Sequence, residues 1–519
     1  MGSQWDVYVP THVAAGDHKG SPCTQWPCLQ GVPVGRPPRY SNEGIRPVWT
    51  PPKSAIHVVV QYRTTKTGWK RGLHVWLTLL IVAFGLFVVF KVTLISYRRR
   101  RYPEPHEDWS TIDLDDVSFP EGFRWGTATA AHQVEGGQVN NWTVHEAAKG
   151  LEPSGAACEH WGRWKDDFQL LSDLGMTSYR FSIEWSRLEP TEGTWEADAL
   201  VVYSAMVDDL LARGIRPVVT LHHFSHPDWW EAKGGFADRT NLPSFVAYCE
   251  RVFEALSDRV TTWVTINEPT VFSTMGYTVG MFPPGKRSIR LTLRVMRNLL
   301  LAHGTVYHAL KGKNPDVSIG VAKNVTLFDP KNRWSPIDWP LARLLEWFWN
   351  GAWRSGIQRG RMWFKDVPEA KDTLDFVGLN YYTHVLTGLS LPALRHMKFQ
   401  KRSQEIATEF GYPMYAEGLR RAIEFLAPLG VPIEITENGV ADKNDTLRTE
   451  HLKRHLWVLS KAIAAGHDVR SYHHWSLMDN FEWAEGYSMR FGLYEVDFET
   501  QERTLRNSGE TYRALIGKV

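Results

Sequence analysis

Two glutamates in this chain stand where acid–base and nucleophilic chemistry could be done together. Glu268 lies in Thr265-Ile266-Asn267-Glu268-Pro269, and Glu437 in Ile435-Thr436-Glu437-Asn438-Gly439. Each closes an apolar, β-branched run and is followed at once by turn-forming residues, the mark of a strand's end. Paired carboxylates are what cleavage of an acetal needs. One, kept protonated by its surroundings, gives a proton to the leaving oxygen; the other attacks or stabilises the cationic carbon. A lone glutamate is most often a solvated loop residue, but two at strand ends among aromatic neighbours argue against that reading. If they act through a covalent intermediate, their carboxyl groups should stand roughly 5 to 5.5 Å apart.

Such residues need a scaffold that brings distant strand ends to one place. From about residue 117 the chain alternates short β-rich runs with longer amphipathic stretches, the pattern of βα units around a parallel sheet. Eight runs can be marked: 122–130, 178–185, 216–224, 261–269, 317–325, 374–382, 431–439 and 469–477. Each is apolar through its middle and polar at its C-terminal end, as barrel strands are when they deliver functional groups to the top face. The expected fold is therefore α/β, a single (β/α)8 TIM barrel over 117–519. Glu268 and Glu437 end its fourth and seventh strands, across the barrel from each other. Helices fill the intervals; in 165–175, KDDFQLLSDLG, apolar residues recur at three- and four-residue steps and Gly175 can cap the end.

Composition excludes several classes. Across 519 residues, 43% apolar and 22% charged residues fit a globular domain rather than a fibre, a disordered chain or a polytopic membrane protein. A net charge of +2 leaves no field to recruit nucleic acid, and Cys23, Cys28, Cys158 and Cys249 suit neither a disulfide scaffold nor a zinc site. No metal or cofactor is expected. The 24 tryptophans could stack on sugar rings, although a large aromatic core is the plainer use for them.

The first 70 residues, rich in proline, glycine and polar turn formers, read as a disordered tail. Residues 71–97 read as a transmembrane helix: 73–90, LHVWLTLLIVAFGLFVVF, is almost wholly apolar, and VTLI after Lys91 carries it to the roughly 20 residues that span a bilayer. Lys70-Arg71 on one side and Arg98 to Arg101 on the other resemble head-group anchors, leaving the orientation of this single pass open. Residues 98–116 read as a basic and polar linker. Three sequons, at Asn141, Asn324 and Asn444, would permit glycosylation of a lumenal domain.

The glutamate motifs, with AAHQVEGG, YRFSIEW, LHHF, GLNYY, HHWSLMDN and NFEW in the same chain order, resemble glycoside hydrolase family 1, the β-glucosidase family, from about Phe119 to the C-terminus. The resemblance implies a retaining β-glycosidase, with Glu268 as acid/base and Glu437 as nucleophile, cleaving β-D-glucosides or related galactosides and fucosides by double displacement. It further implies a sugar pocket formed by Gln133, His223, Asn267, Tyr382, Trp475, Glu482 and Trp483, with Arg180 and Asn380 in support. Arg180 and Tyr382 would contact Glu437 and keep it ionised.

Departures from the family pattern stand beside these matches. His132 replaces a usual tyrosine, and His222-His223-Phe224 replaces Tyr-His-Trp, so one wall of the pocket differs. WFWNGAW (347–353) is either a platform for the aglycone or a buried helix face, with burial favoured. A carboxylate at Glu482 would repel a 6-phosphate, and an intact Glu268 departs from the glutamine of thioglucosidases. Two alternatives remain open: a transglycosylase acting on membrane glycolipids, and a catalytically dead glycosidase-like binding protein. The expected partners are thus a small β-glycoside or glycolipid and, through one helix, a membrane.

Overall fold

All eight expected strands form and close on one another. The computed structural model describes residues 66–112, 117–389 and 399–517, so the tail expected over 1–70 lies almost wholly outside the described residues. The barrel strands are β1 (Arg124–Ala128), β2 (Ser178–Ser182), β3 (Arg216–Thr220), β4 (Thr262–Asn267), β5 (Ser318–Asn324), β6 (Phe376–Asn380), β7 (Ile433–Asn438) and β8 (Val469–Trp475). They pair in parallel in the order β1-β8-β7-β6-β5-β4-β3-β2, a closed (β/α)8 barrel.

Alternation of side chains along each strand divides its residues between two environments. On β4, Trp263 and Ile266 join the main core beneath the helices, whereas Val264 joins Val218, Ala322 and Phe376 of β3, β5 and β6 in a separate small cluster within the barrel. The stretch expected to be helical at 165–175 lies in the helix His160–Asp173. Its end is closed by Gly175, at φ +74°, whose N–H donates to Ser172 O while that of Met176 donates to Leu171 O.

Register fails at the strand ends that carry the two glutamates. Between β4 and β5 the pairing shifts between Val264 and Asn267, and β7 shifts against β6 between Ile435 and Glu437. Such irregularities re-aim a side chain that regular pleating would send elsewhere.

Of the N-terminal unit, Met1–Leu77, the described residues are the opening turns of one helix, Lys66–Arg101. That helix is longer than the 71–97 expected, because lysine and arginine are good helix formers and continue the turns on both sides. By length and composition it can cross a membrane.

The segment after it, read from sequence as a basic and polar linker over 98–116, bonds to the barrel at Glu104, Pro105 and Glu107. Glu104 is buried, receiving Arg402 Nε at 2.7 Å and Nη2 at 2.9 Å in a forked pair. Pro105 O accepts from the Tyr415 hydroxyl at 3.0 Å, and Glu107 N donates to Glu417 at 2.8 Å. Among the described residues, losing the forked partner leaves Glu104 only Arg333 at 3.7 Å and His106 at 3.8 Å, so Arg402→Met is expected to cost about 1 to 3 kcal/mol. Urea denaturation would measure it; an unchanged midpoint would mean that the segment is not held through this pair.

Candidate active site

Glu437 ends β7 buried, with both carboxylate oxygens engaged. Arg180, from the middle of β2, donates Nη1 to Oε1 at 2.6 Å, and the Tyr382 hydroxyl, just past β6, donates to Oε2 at 2.7 Å. Glu268 follows β4 with a left-handed backbone, φ +44°. Its Oε1 accepts two carboxamide N–H groups, from Asn380 at 2.9 Å and Asn324 at 3.1 Å. A proton on Glu268 therefore sits on Oε2, the oxygen left free to give it away.

Asn267 and Asn380 tie the two glutamates together. Asn267 Oδ1 accepts from Arg180 Nη2 at 2.7 Å and from Asn380 Nδ2 at 3.1 Å, which fixes the orientation of its amide. Its Nδ2 must then donate to His223 Nε2, 2.9 Å away. With Nε2 accepting, His223 carries its proton on Nδ1, and that buried atom has no protein partner among the described residues. Burial, with Arg180 nearby, holds His223 well below the usual imidazole range, so it stays neutral.

Gln133 repeats this arrangement with the opposite polarity. Its Nε2 donates to Phe481 O at 2.8 Å, Asn480 Oδ1 at 3.0 Å and Glu482 Oε2 at 3.2 Å, while its buried Oε1 has no partner among the described residues. Stranded polar atoms inside a protein are costly unless something else satisfies them. One donor and one acceptor are thus held ready for hydroxyl groups. Around them, Trp475 lies 5.8 Å from the His223 ring and Trp483 stacks 6.0 Å from it. The residues that the family resemblance assigned to the sugar pocket lie together in this one cluster.

The two glutamates differ in proton affinity. Burial and the nearby charge of Glu437 push Glu268 up to about 7, against the two carboxamides, which favour its ionised form. Burial also raises Glu437 above the usual carboxylate value, with Arg180 and Tyr382 pulling the other way. Arg180 and Tyr382 lie against Glu437 and both oppose that rise. Glu482 is pushed up to about 8 by withdrawal from water and by the charge of Glu437.

The departures in the pocket wall prove mostly structural. His132 bonds Glu146 at 3.0 Å and stacks under Trp483, and His222 is packed among Phe236, Phe245 and Phe272. Phe224 packs edge-on against Trp483 at 5.1 Å. WFWNGAW divides: Trp353 and Asn350 are buried, Trp347 is exposed, and Trp349 donates its indole N–H to Asn324 Oδ1 at 3.3 Å.

Sequence reasoning passed over two residues here. Asn324 drew notice only as a sequon, yet it is buried against Glu268 and offers no room for a glycan; Asn141 is buried too, and only Asn444 of the three is exposed. Lys323 is fully buried beside it, its ammonium on Asn324 O, and burial brings it down to about 7. Both sit at the C-terminal end of β5, where a barrel delivers functional groups, and that position was the available signal.

The profile of glycosyl hydrolase family 1 matches residues 115–519. Beta-glucosidase A of Thermotoga maritima is 35% identical over 437 residues, covering 77% of this chain and 97% of that protein. A beta-glycosidase from Pyrococcus horikoshii superposes with a TM-score of 0.71 at 39% identity, over 77% of this chain and 95% of that one. The beta-glucosidase from Thermotoga maritima in complex with castanospermine gives 0.73 at 33% identity, over 78% and 99%. With a closed (β/α)8 barrel and both motif glutamates meeting in one buried polar cluster, this chain belongs to glycosyl hydrolase family 1, as a β-glucosidase-type O-glycosyl hydrolase.

Proposed function

We propose that the protein hydrolyses β-D-glucosides or closely related β-glycosides by double displacement, with Glu437 as nucleophile and Glu268 as acid and then base. The observation that carries this reading is the unequal surroundings of the two carboxylates. Glu437 accepts from a guanidinium and a phenol, which aim it and favour its charge, whereas Glu268 accepts only from neutral amides and lies beside that charge. Attack by Glu437 on the anomeric carbon forms a glycosyl ester as the bond to the leaving oxygen breaks, and Glu268 gives that oxygen its proton. Glu268 then takes a proton from water, which displaces the ester. Gln133 Oε1 and His223 Nδ1, with the Trp475 and Trp483 rings, would receive the sugar. Product NMR with nitrophenyl β-glycosides tests this: the β-anomer should appear first, and an α-anomeric first product would sink it.

The same assignment fixes a pH dependence. Glu268 must hold its proton in the first step, so kcat/KM should fall as pH rises through about 7. Glu437 must be ionised, so the rate should also fall at low pH, with a limb above the ordinary carboxylate range. Asn324→Ala removes an N–H that favours ionised Glu268 and should therefore move the basic limb to higher pH. A basic limb unmoved by this change would argue that another group sets it.

We further propose that the helix Lys66–Arg101 anchors the protein in a membrane, supported by its apolar run and basic ends. Full-length protein should pellet with membranes and resist both high salt and carbonate, since burying about 20 apolar residues is not undone by screening charge. Washing off in carbonate would refute the anchor.

A further inference from the structure

The segment between β5 and β6 carries an apolar face that the described residues leave largely exposed. In the helix Asp338–Glu346, Trp339 and Ala342 are buried, while Ile337 before it, Pro340, Leu344 and, past its end, Trp347 lie exposed at three- and four-residue steps, one helical face. Ile337 is 52% exposed, Leu344 57% and Trp334, just ahead, 54%. Single exposed apolar residues need no explanation, but a run of them along one face marks a contact site.

Its charges are one-sided. Within 331–349 the cations are Lys331, Arg333 and Arg343, and neither carboxylate shares the exposed face: Asp338 is buried, and Glu346 turns inward to Phe328 N and Asn350. The basic end of the helix Lys66–Arg101 adjoins it directly. The Arg99 guanidinium lies over the Trp334 ring at 5.1 Å, the Tyr102 ring is 6.3 Å from Trp339, and Arg343 covers Tyr102 at 4.3 Å. One side of that helix's last turns (Lys91, Leu94, Ile95, Arg98) is partly or fully covered, and the apolar stretch before it stays bare. Trp334 thus meets an arginine of the helix's basic end, as tryptophan and arginine gather at a bilayer's edge.

We infer that the 334–347 face is a second membrane contact, lying in the lipid head-group region beside the anchor. This rests on the anchoring reading above. Its consequence reaches the site, because two residues past Trp347 the Trp349 indole holds Asn324, which in turn holds Glu268. The contact is thereby linked to the acid/base glutamate through two hydrogen bonds.

The test uses the full chain in phosphatidylcholine vesicles containing phosphatidylglycerol. An environment-sensitive fluorophore is placed through Leu344→Cys, with Cys23→Ser and Cys28→Ser; Cys158 and Cys249 are buried and do not compete for the label. The label should be quenched by nitroxide lipids and shielded from aqueous iodide. Adding Ile337→Glu and Pro340→Glu should reverse that pattern, while carbonate-resistant pelleting and nitrophenyl glycoside turnover stay as they were. A chain that pellets with its label open to iodide overturns the contact alone. Lipid quenching unmoved by the two glutamates also overturns it, since nearness to the anchor would then suffice. A chain stripped by carbonate overturns the anchor, and the contact with it.

Discussion

Glu437→Ala should nearly abolish turnover, lowering kcat by ~10^4- to 10^6-fold, or about 5 to 8 kcal/mol. The reason is geometric as well as chemical. The lost carboxylate is the group that forms the ester, and its removal leaves the Arg180 guanidinium and Tyr382 hydroxyl aimed at an empty place. Azide can occupy that place. With an activated β-glycoside, its nitrogen should bond to the anomeric carbon as the aryloxide leaves, giving the α-glycosyl azide by single inversion. The companion change Glu437→Gln keeps the shape and removes the charge. Because that charge helps to raise Glu268, its loss should draw the titration of the Glu268 carboxyl, followed by infrared difference spectroscopy, below about 7. Wild-type turnover in Glu437→Ala, or a β-azide from it, would reverse the assignment.

Glu268→Ala should act selectively. For alkyl glycosides, whose leaving oxygen needs a proton, the first step should slow by ~10^2- to 10^4-fold. For dinitrophenyl glycosides, which leave as stable anions, that step should be nearly unaffected, and the glycosyl ester on Glu437 should accumulate because no base activates water. Azide needs no base, so it should speed turnover and give the β-glycosyl azide by double inversion. Equal losses across leaving groups would show that Glu268 acts by position alone. Circular dichroism and the urea midpoint separate structural collapse from both effects, because Glu437→Ala leaves the buried Arg180 guanidinium without its carboxylate.

Much of this was legible in the chain itself. Apolar runs ending in polar residues marked all eight strands, since a strand buried on both faces is apolar through its middle and turns polar where it leaves the sheet. The two glutamates were found because they close such runs, and Arg180, Asn267, Asn380 and Tyr382 because their motifs resemble the family's in the same chain order.

What the chain could not state was which of these groups bond to which, and at what energetic balance. Asn324 looked like a glycosylation site because a sequon is a local pattern, while its burial against Glu268 depends on the barrel closing. The segment after the apolar helix looked like a linker because glutamate, histidine and proline are polar or turn-forming; only docking against Arg402, some 300 residues away, makes Glu104 a buried group. The same limit applies to proton affinity. The family resemblance implies Arg180 and Tyr382 as partners of Glu437, yet withdrawal from water outweighs their pull, and that depends on everything packed around the site. Sequence determines the inventory of groups and the periodicity that folds them; pair geometry and dielectric surroundings are sums over residues far apart in the chain, and only tertiary structure decides them.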